Sequence, residues 1–85
     1  MGADDRELAA MILGFLRNEL ALDVAQIGEH SALVTTGILD SAGLVRLAAL
    51  LERRLRIRIP DRDINAENFD TIRRIQTYVK HRAPG

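Results

Sequence analysis

The sequence predicts an all-α fold, a small four-helix bundle with three main helices and one short helix. Three segments place apolar residues at helical spacing, and each of them follows an aspartate suited to cap a helix. A chain of 85 residues is expected to form one domain with one modest core. We therefore expect a single domain over residues 1–85, with loose ends at 1–3 and 82–85.

The first helix is predicted over residues 5–20. An apolar stripe at helical spacing defines it: Leu8, Met11, Ile12, Phe15 and Leu16. Asp4 and Asp5 suit its N-terminus, both as caps and because of the helix dipole. Gly14 lies inside it and costs about 1 kcal/mol relative to alanine. Close approach of another helix would explain this glycine.

Residues 21–40 form a long connection without a sustained period. Its apolar residues are Leu22, Val24, Ile27, Leu33 and Ile38. A structureless loop of about 20 residues is uncommon in a compact domain. We therefore expect these side chains to pin the connection across the helices and a helical turn to form within it. Gly37 marks a turn just before the next helix.

The second helix has the clearest pattern. Its apolar stripe is Leu44, Leu47, Ala48, Leu51 and Leu55. Asp40 fits the N-cap position, which places Ser41 in the first turn. Arg46, Arg53 and Arg54 lie on the opposite face.

The remaining chain reads as an extended exit, a short helical turn and a last helix. The stretch "RIRIP" alternates arginine with isoleucine, and Pro60 disfavours helix at the residue before it. Residues 65–69 are predicted to form one helical turn, and Asp70 to cap a helix over residues 71–82. Three residues face inward from this helix: Ile72, Ile75 and Val79. Three basic residues suit its C-terminus: Lys80, His81 and Arg82.

The composition excludes several classes of function. There is no cysteine, so disulfides, thiolate metal sites and a protein thiol nucleophile are excluded, and a reducing cytoplasm is the expected location. No apolar run approaches the roughly 20 residues that span a bilayer. The chain has only three aromatic residues, and this small number argues against stacking on nucleic-acid bases. We expect neither a membrane nor a nucleic acid among the partners.

The zero net charge hides an uneven distribution. Residues 1–40 carry seven acids and two arginines, a balance of −5, whereas residues 41–85 carry ten bases and five acids, a balance of +5. Such an asymmetry can steer a partner, or it can hold the two halves together within the fold.

Neither catalysis nor nucleic-acid binding is favoured. His30 and His81 lack the context of a triad or a metal motif, so no catalytic and no metal site is predicted. Six arginines lie within residues 46–62, which is typical of a phosphate binder. Acids interrupt this cluster and no recognised motif accompanies it, so a solvated or protein-docking face is the better interpretation.

In the stretch "GILDSAGLV" a serine directly follows an aspartate, and two later segments indicate how this Asp-Ser pair is to be interpreted. "LERRLRIRIPDRD" at 51–63 and "ENFDTI" at 67–72 follow in order, and Pro60 lies 19 positions after Ser41. Over residues 33–80 the sequence resembles the acyl and peptidyl carrier proteins, the phosphopantetheine-dependent carrier family. Members have a four-helix bundle with an Asp-Ser motif at the start of the second helix.

The resemblance implies that Ser41 is esterified by a 4′-phosphopantetheine arm, whose terminal thiol carries an acyl or aminoacyl group as a thioester. It implies a non-catalytic carrier in which Asp40 caps the helix and helps to present Ser41. Gly43 would leave the helix surface thin beside the arm. A helix N-terminus suits the phosphodiester physically, because free N–H groups and the helix dipole favour an anion there.

The sequence departs from the family in the second helix, with which family members bind their partner enzymes. The residue after the serine is usually a larger apolar one, and here it is Ala42. In the family this second helix is typically acidic, whereas here Glu52 is its one negatively charged residue. The expected partner-docking residues are Ala42, Val45, Arg46, Arg53 and Arg58. We therefore expect partners whose docking faces are acidic or apolar.

The favoured interpretation is a monomeric, standalone carrier with three kinds of partner. These are a phosphopantetheinyl transferase, an acyl- or aminoacyl-activating ligase, and a downstream synthase, condensing enzyme or acyltransferase. An unmodified helical interaction domain of the same fold, with Ser41 only a cap residue, is the alternative. A third possibility is a small basic-faced nucleic-acid binder.

Overall fold

The computed structural model of the chain describes residues 4–82, so the loose ends expected at 1–3 and 82–85 lie outside the described residues except for Arg82. Its four helices are α1 (Asp5–Leu20), α2 (Ser41–Leu55), α3 (Ala66–Phe69) and α4 (Ile72–Arg82). Single 3₁₀ turns lie at Val24–Gln26 and Asp61–Asp63. No strand occurs within residues 4–82. The all-α prediction, with three main helices and one short helix, is confirmed.

Helix α1 begins where its capping residues predict. The Asp4 carboxylate accepts a hydrogen bond from the Glu7 backbone N–H at 2.8 Å, and the Glu7 carboxylate accepts one from the Asp4 N–H at 3.3 Å. This reciprocal capping box satisfies two N–H groups that the start of a helix would otherwise leave without partners. The helix bounds match the predicted range.

The core is aliphatic and receives residues from every helix and from the connections. Its buried residues are Leu8, Ile12, Phe15, Leu16, Leu33, Leu39, Leu44, Leu47, Ala48, Leu51, Ile59, Phe69, Ile72, Ile75 and Val79. Leu33 and Leu39 lie in the long connection between α1 and α2, and both are as buried as any helical residue. The connection is therefore pinned across the helices, as expected, and the turn at Val24–Gln26 supplies its helical part.

The prediction that Asp70 caps the last helix is wrong. Thr71 does so, because its hydroxyl accepts a hydrogen bond from the Arg74 backbone N–H at 3.0 Å. Asp70 instead directs its carboxylate to backbone N–H groups of the connection before α2. Aspartate and threonine are both good caps, so their order along the chain could not decide between them.

Arg82 does not belong to a loose end. It is the last residue of α4, and its Nε and Nη2 atoms donate to the Arg58 carbonyl at 3.2 and 3.0 Å. These two hydrogen bonds fasten the end of α4 to the extended stretch that leaves α2.

The explanation expected for Gly14 is also wrong. A Cβ atom added at this position would meet no atom within 4 Å outside the local helix. No other helix approaches Gly14 closely, and the residue lines an open groove between α1 and α2.

The ion pairs show that the two oppositely charged halves attract each other within the fold. Arg46 pairs with Glu19, Arg73 with Asp5 and Glu29, and Lys80 with Asp5. Each pair joins an acid of residues 1–40 to a base of residues 41–85. Exposed pairs of this kind contribute at most about 1 kcal/mol each, so they orient the halves more than they stabilise them.

Tyr78 gives the fold a testable response to alkaline pH. Its hydroxyl donates to the Asp63 carboxylate at 2.7 Å, and its ring packs against Phe69 with centroids 5.3 Å apart. Burial, reinforced by the hydrogen bond and charge of Asp63, raises the pKa of Tyr78 to about 12. The folded state therefore favours the neutral phenol, and this contribution is complete below the unfolded-state pKa of 10.0.

We expect the free energy of unfolding to fall from pH 10 upward, with the contribution of Tyr78 lost as the pH passes about 12. Urea titrations between pH 9 and pH 12 would measure this loss. Tyr78→Phe is the matched control and should show a shallower decline. Equal declines in both proteins would contradict the assignment.

Candidate functional site

Asp40 starts α2 as predicted. Its carboxylate Oδ1 accepts a hydrogen bond from the Gly43 backbone N–H at 2.7 Å, and its carbonyl accepts one from Leu44 N–H at 2.8 Å. Ser41 is the first residue of the helix and is exposed. The cap therefore holds the serine at a fixed place on the surface, with its hydroxyl accessible.

The start of α2 can accept an anion. Among residues 4–82 no acceptor contacts the backbone N–H groups of Ser41 or Ala42. Free N–H groups in the first helical turn, together with the positive end of the helix dipole, favour negative charge. A phosphate group joined to the Ser41 hydroxyl would lie beside these donors, so the residues present fit a phosphodiester.

Asp70 fixes the connection that leads to this site. Its Oδ1 atom accepts hydrogen bonds from the N–H groups of Leu33 at 3.1 Å, Val34 at 2.8 Å and Thr35 at 3.0 Å. The Thr35 hydroxyl adds a contact to Oδ2 at 3.1 Å. The hydrogen bond from the Thr35 N–H, assisted by the others and opposed by burial, holds the pKa of Asp70 below its usual value.

These hydrogen bonds extend toward the serine. The Leu33 carbonyl accepts a hydrogen bond from Leu39 N–H at 2.8 Å, and the buried Leu39 directly precedes the cap residue Asp40. Asp70 lies between α3 and α4, and through the connection it thus helps to fix the position of the site. The sequence prediction missed this role, and its only signal was the aspartate within "ENFDTI".

Gly43 packs closely against the cap of α2, which corrects the expectation of a thin surface beside the arm. The residue is buried, and a Cβ atom there would lie 3.2 Å from the Asp40 Oδ1 atom and 3.4 Å from the Leu39 Cδ2 atom. A side chain would push against the cap itself. Glycine therefore lets the cap and the buried Leu39 approach α2 closely.

The two helical glycines should respond differently to alanine. We expect Gly14→Ala to raise the free energy of unfolding by about 1 kcal/mol, because alanine favours the helix and the added methyl group meets open space. Thermal unfolding should show an increase in Tm of about 4–8 °C. Gly43→Ala is the matched control and should gain less, since the cap must shift. Equal gains would contradict the packing assigned to Gly43.

Ser41 shares its face of α2 with small and apolar side chains. Val45 and Ala49 follow it at intervals of four residues and are exposed, as is Ala42. Val45 is 55% exposed and is the one large hydrophobic residue of the described chain that is so open. An apolar patch thus extends along α2 from the serine.

The arginines of α2 differ in their surroundings. Arg46 pairs with Glu19 and lies over the Phe15 ring, 5.9 Å from its centroid. Arg53 and Arg54 are exposed, and no carboxylate oxygen of residues 4–82 lies within 4.0 Å of either guanidinium. The positive charge available to a partner therefore lies near the C-terminal end of α2.

Arg58 and Glu52 are involved in holding the segment after α2. Arg58 is exposed and lies beyond the end of the helix, where its carbonyl binds Arg82. Glu52, the acid that keeps the sign typical of the family, accepts a hydrogen bond from Ile59 N–H at 2.8 Å. Its carboxylate thus stabilises the exit from α2.

The described residues contain no group of three or more histidine, cysteine or acidic side chains that could hold a metal ion. His30 is exposed beside Glu29, and His81 contacts the Thr77 carbonyl through Nδ1 at 2.8 Å. Across residues 4–82, every helix is too short or too polar to cross a bilayer.

Fold and site together define a small helical domain suited to holding a covalently attached anionic group at a helix start. The family model described as the phosphopantetheine attachment site matches residues 10–79. The chain belongs to this phosphopantetheine-binding family. A search of curated proteins gave no match.

Family membership confirms the resemblance and the cofactor predicted from the sequence. The family carries a 4′-phosphopantetheine prosthetic group. Its carrier domains are non-catalytic and interact with phosphopantetheinyl transferases and synthetic enzymes. The protein therefore has a phosphopantetheine carrier role.

Proposed function

We propose that the protein is a standalone acyl or aminoacyl carrier, that its arm is attached to Ser41, and that it delivers its cargo to biosynthetic partner enzymes. One observation carries the assignment of the residue. The chain has two serines, and only Ser41 is an exposed first residue of a capped helix. Ser31 lies in the connection, where its hydroxyl accepts a hydrogen bond from Gly28 N–H at 2.9 Å.

Attachment joins the Ser41 Oγ atom to the phosphorus of the pantetheine phosphate of coenzyme A. The pyrophosphate bond breaks, 3′,5′-ADP leaves, and the transferase removes the hydroxyl proton. Asp40 presents the serine by fixing the first helical turn, and the N–H groups of Ser41 and Ala42 face the new negative charge. When bound, the group supplies a terminal thiol on which the cargo is held as a thioester.

The proposed docking residues remain Ala42, Val45, Arg46, Arg53 and Arg58. Ala42 and Val45 adjoin the serine on α2, and the positive charge further along the helix favours partners with acidic or apolar faces. The proposed partners are a phosphopantetheinyl transferase, an activating ligase, and a synthase, condensing enzyme or acyltransferase.

Intact mass spectrometry tests the proposal. We expect the protein, incubated with coenzyme A and a broad-range phosphopantetheinyl transferase, to gain the mass of one phosphopantetheine. Ser41→Ala should abolish this gain, whereas Ser31→Ala, the same change at the other serine, should retain it. No gain in the wild-type protein with a transferase that modifies a reference carrier would favour the unmodified interaction domain.

A further inference from the structure

An open groove of about 520 Å³ runs between α1 and α2. Its lining comes from both helices, with Gly14 and Glu19 on α1 and Arg46, Ala49, Arg53 and Arg54 on α2. Apolar and polar side chains both line it, and all of its arginines come from α2. The groove therefore combines apolar positions with a basic rim on one side.

Gly14 deepens this groove at a cost to α1. A glycine in the interior of a helix destabilises it by about 1 kcal/mol relative to alanine. The usual compensation is close packing, and no atom approaches this position within 4 Å beyond the local helix. The glycine thus has no packing role within the described chain, and its effect is to leave the groove open.

The charge of the rim indicates what the groove can receive. Glu19 is already paired with Arg46, so its carboxylate is compensated. Arg53 and Arg54 have no carboxylate partner within residues 4–82. An occupant that places carboxylates against these two side chains would gain charge complementarity.

We propose that the groove is the docking site for an acidic amphipathic helix of a partner protein. The apolar stripe of that helix would contact the apolar positions of the groove, and its carboxylates would face Arg53 and Arg54, as in other helix-in-groove complexes. A concave groove between two helices fits a helix better than it fits a planar lipid surface.

The groove is continuous with the exposed face of α2 that begins at Ser41. Ala49 belongs to both surfaces and lies eight residues, about 12 Å, along the helix from the serine. A partner seated in the groove would therefore be close enough to act on a group attached to Ser41. This part of the inference rests on the proposed function and extends its docking surface onto α1.

The probe is a synthetic amphipathic helix of about 18 residues, because shorter isolated helices are marginal in water. It carries a leucine stripe flanked by glutamates, and a matched peptide carries lysines instead. Titration into the ¹⁵N-labelled protein should give saturable amide shifts at Gly14, Ala49 and Arg53 with the glutamate peptide. Its affinity should exceed that of the lysine peptide by about tenfold or more at low salt.

Three variants separate docking from general charge attraction. Gly14→Leu introduces a strong helix former but fills the groove, and it should weaken binding by about tenfold or more, whereas Gly14→Ala should stay within about threefold of the wild type. Arg53→Gln combined with Arg54→Gln should remove the preference for glutamate over lysine. Thermal unfolding of each variant confirms that it is folded.

Equal binding of the two peptides, shifts confined to another surface, or full affinity in Gly14→Leu would overturn the proposal. So would stronger binding to phosphatidylglycerol vesicles than to the glutamate peptide. Addition of phosphopantetheine to the wild-type protein is measured separately by mass. A mass gain without peptide binding rejects the groove alone, whereas peptide binding without a mass gain rejects the carrier function.

Discussion

Asp70→Ala is expected to lower the free energy of unfolding by about 3 kcal/mol. The change removes a carboxylate that accepts hydrogen bonds from three successive backbone N–H groups and one hydroxyl. Hydrogen bonds to a charged acceptor are stronger than neutral ones, and the Val34 and Thr35 N–H groups would be left without this partner. Urea denaturation at neutral pH would measure the loss.

Asp61→Ala is the matched control, because it removes the same charge from an exposed turn where the carboxylate makes no hydrogen bond with the described residues. It should change stability by less than about 0.5 kcal/mol. Similar effects of the two changes would show that net charge, and not the contact with residues 33–35, is responsible.

The same carboxylate should confer acid sensitivity. Since the folded state lowers the pKa of Asp70 below the ordinary value of 3.8, its contribution is present above that pH and is lost as the pH falls through the lower folded-state pKa. Asp70→Asn should be less stable than wild type at neutral pH, and the difference should shrink at low pH. A constant difference would contradict the assignment.

Leu33→Ala is the second change with a large expected effect, about 3 kcal/mol. Leu33 belongs to no helix, yet its side chain is fully buried in the core. Removing it would leave a cavity where the connection meets the helices, so the loss should equal that of a buried helical leucine such as Leu47.

Leu22→Ala is the control for this change, since Leu22 lies in the same connection but is only half-buried. Its loss should be clearly smaller in the same urea experiment. Equal, small losses at both positions would mean that the connection contributes little to the core. Asp70 holds the Leu33 backbone where the Leu33 side chain reaches the core, so a double-mutant cycle of Leu33→Ala and Asp70→Ala should show non-additive losses.

The helices could be predicted from the sequence because their signals are local. Asp40 and the leucine stripe of α2 lie within one helix, and the cap needs only the three following residues. Ser41 was identified from the order of the segments that follow it. The family match supports that interpretation, and the attachment at Ser41 remains a proposal.

The contacts that hold the site could not be predicted in this way. Asp70 reaches partners 35 to 37 residues earlier in the chain, and no sequence period encodes such a distance. Gly14 and Gly43 look alike in sequence, yet one borders open space and the other touches a cap. Only the assembled fold distinguishes them.

The fixed position of Ser41 has a mechanical consequence for delivery. The first turn of α2 is capped by Asp40, and the connection before it is tied to Asp70 and to the core. An arm attached there pivots about a stationary point, so the volume swept by its tip depends on the arm alone. Under the proposed function, the enzyme that receives the cargo would then depend on how each partner orients its entrance toward that pivot.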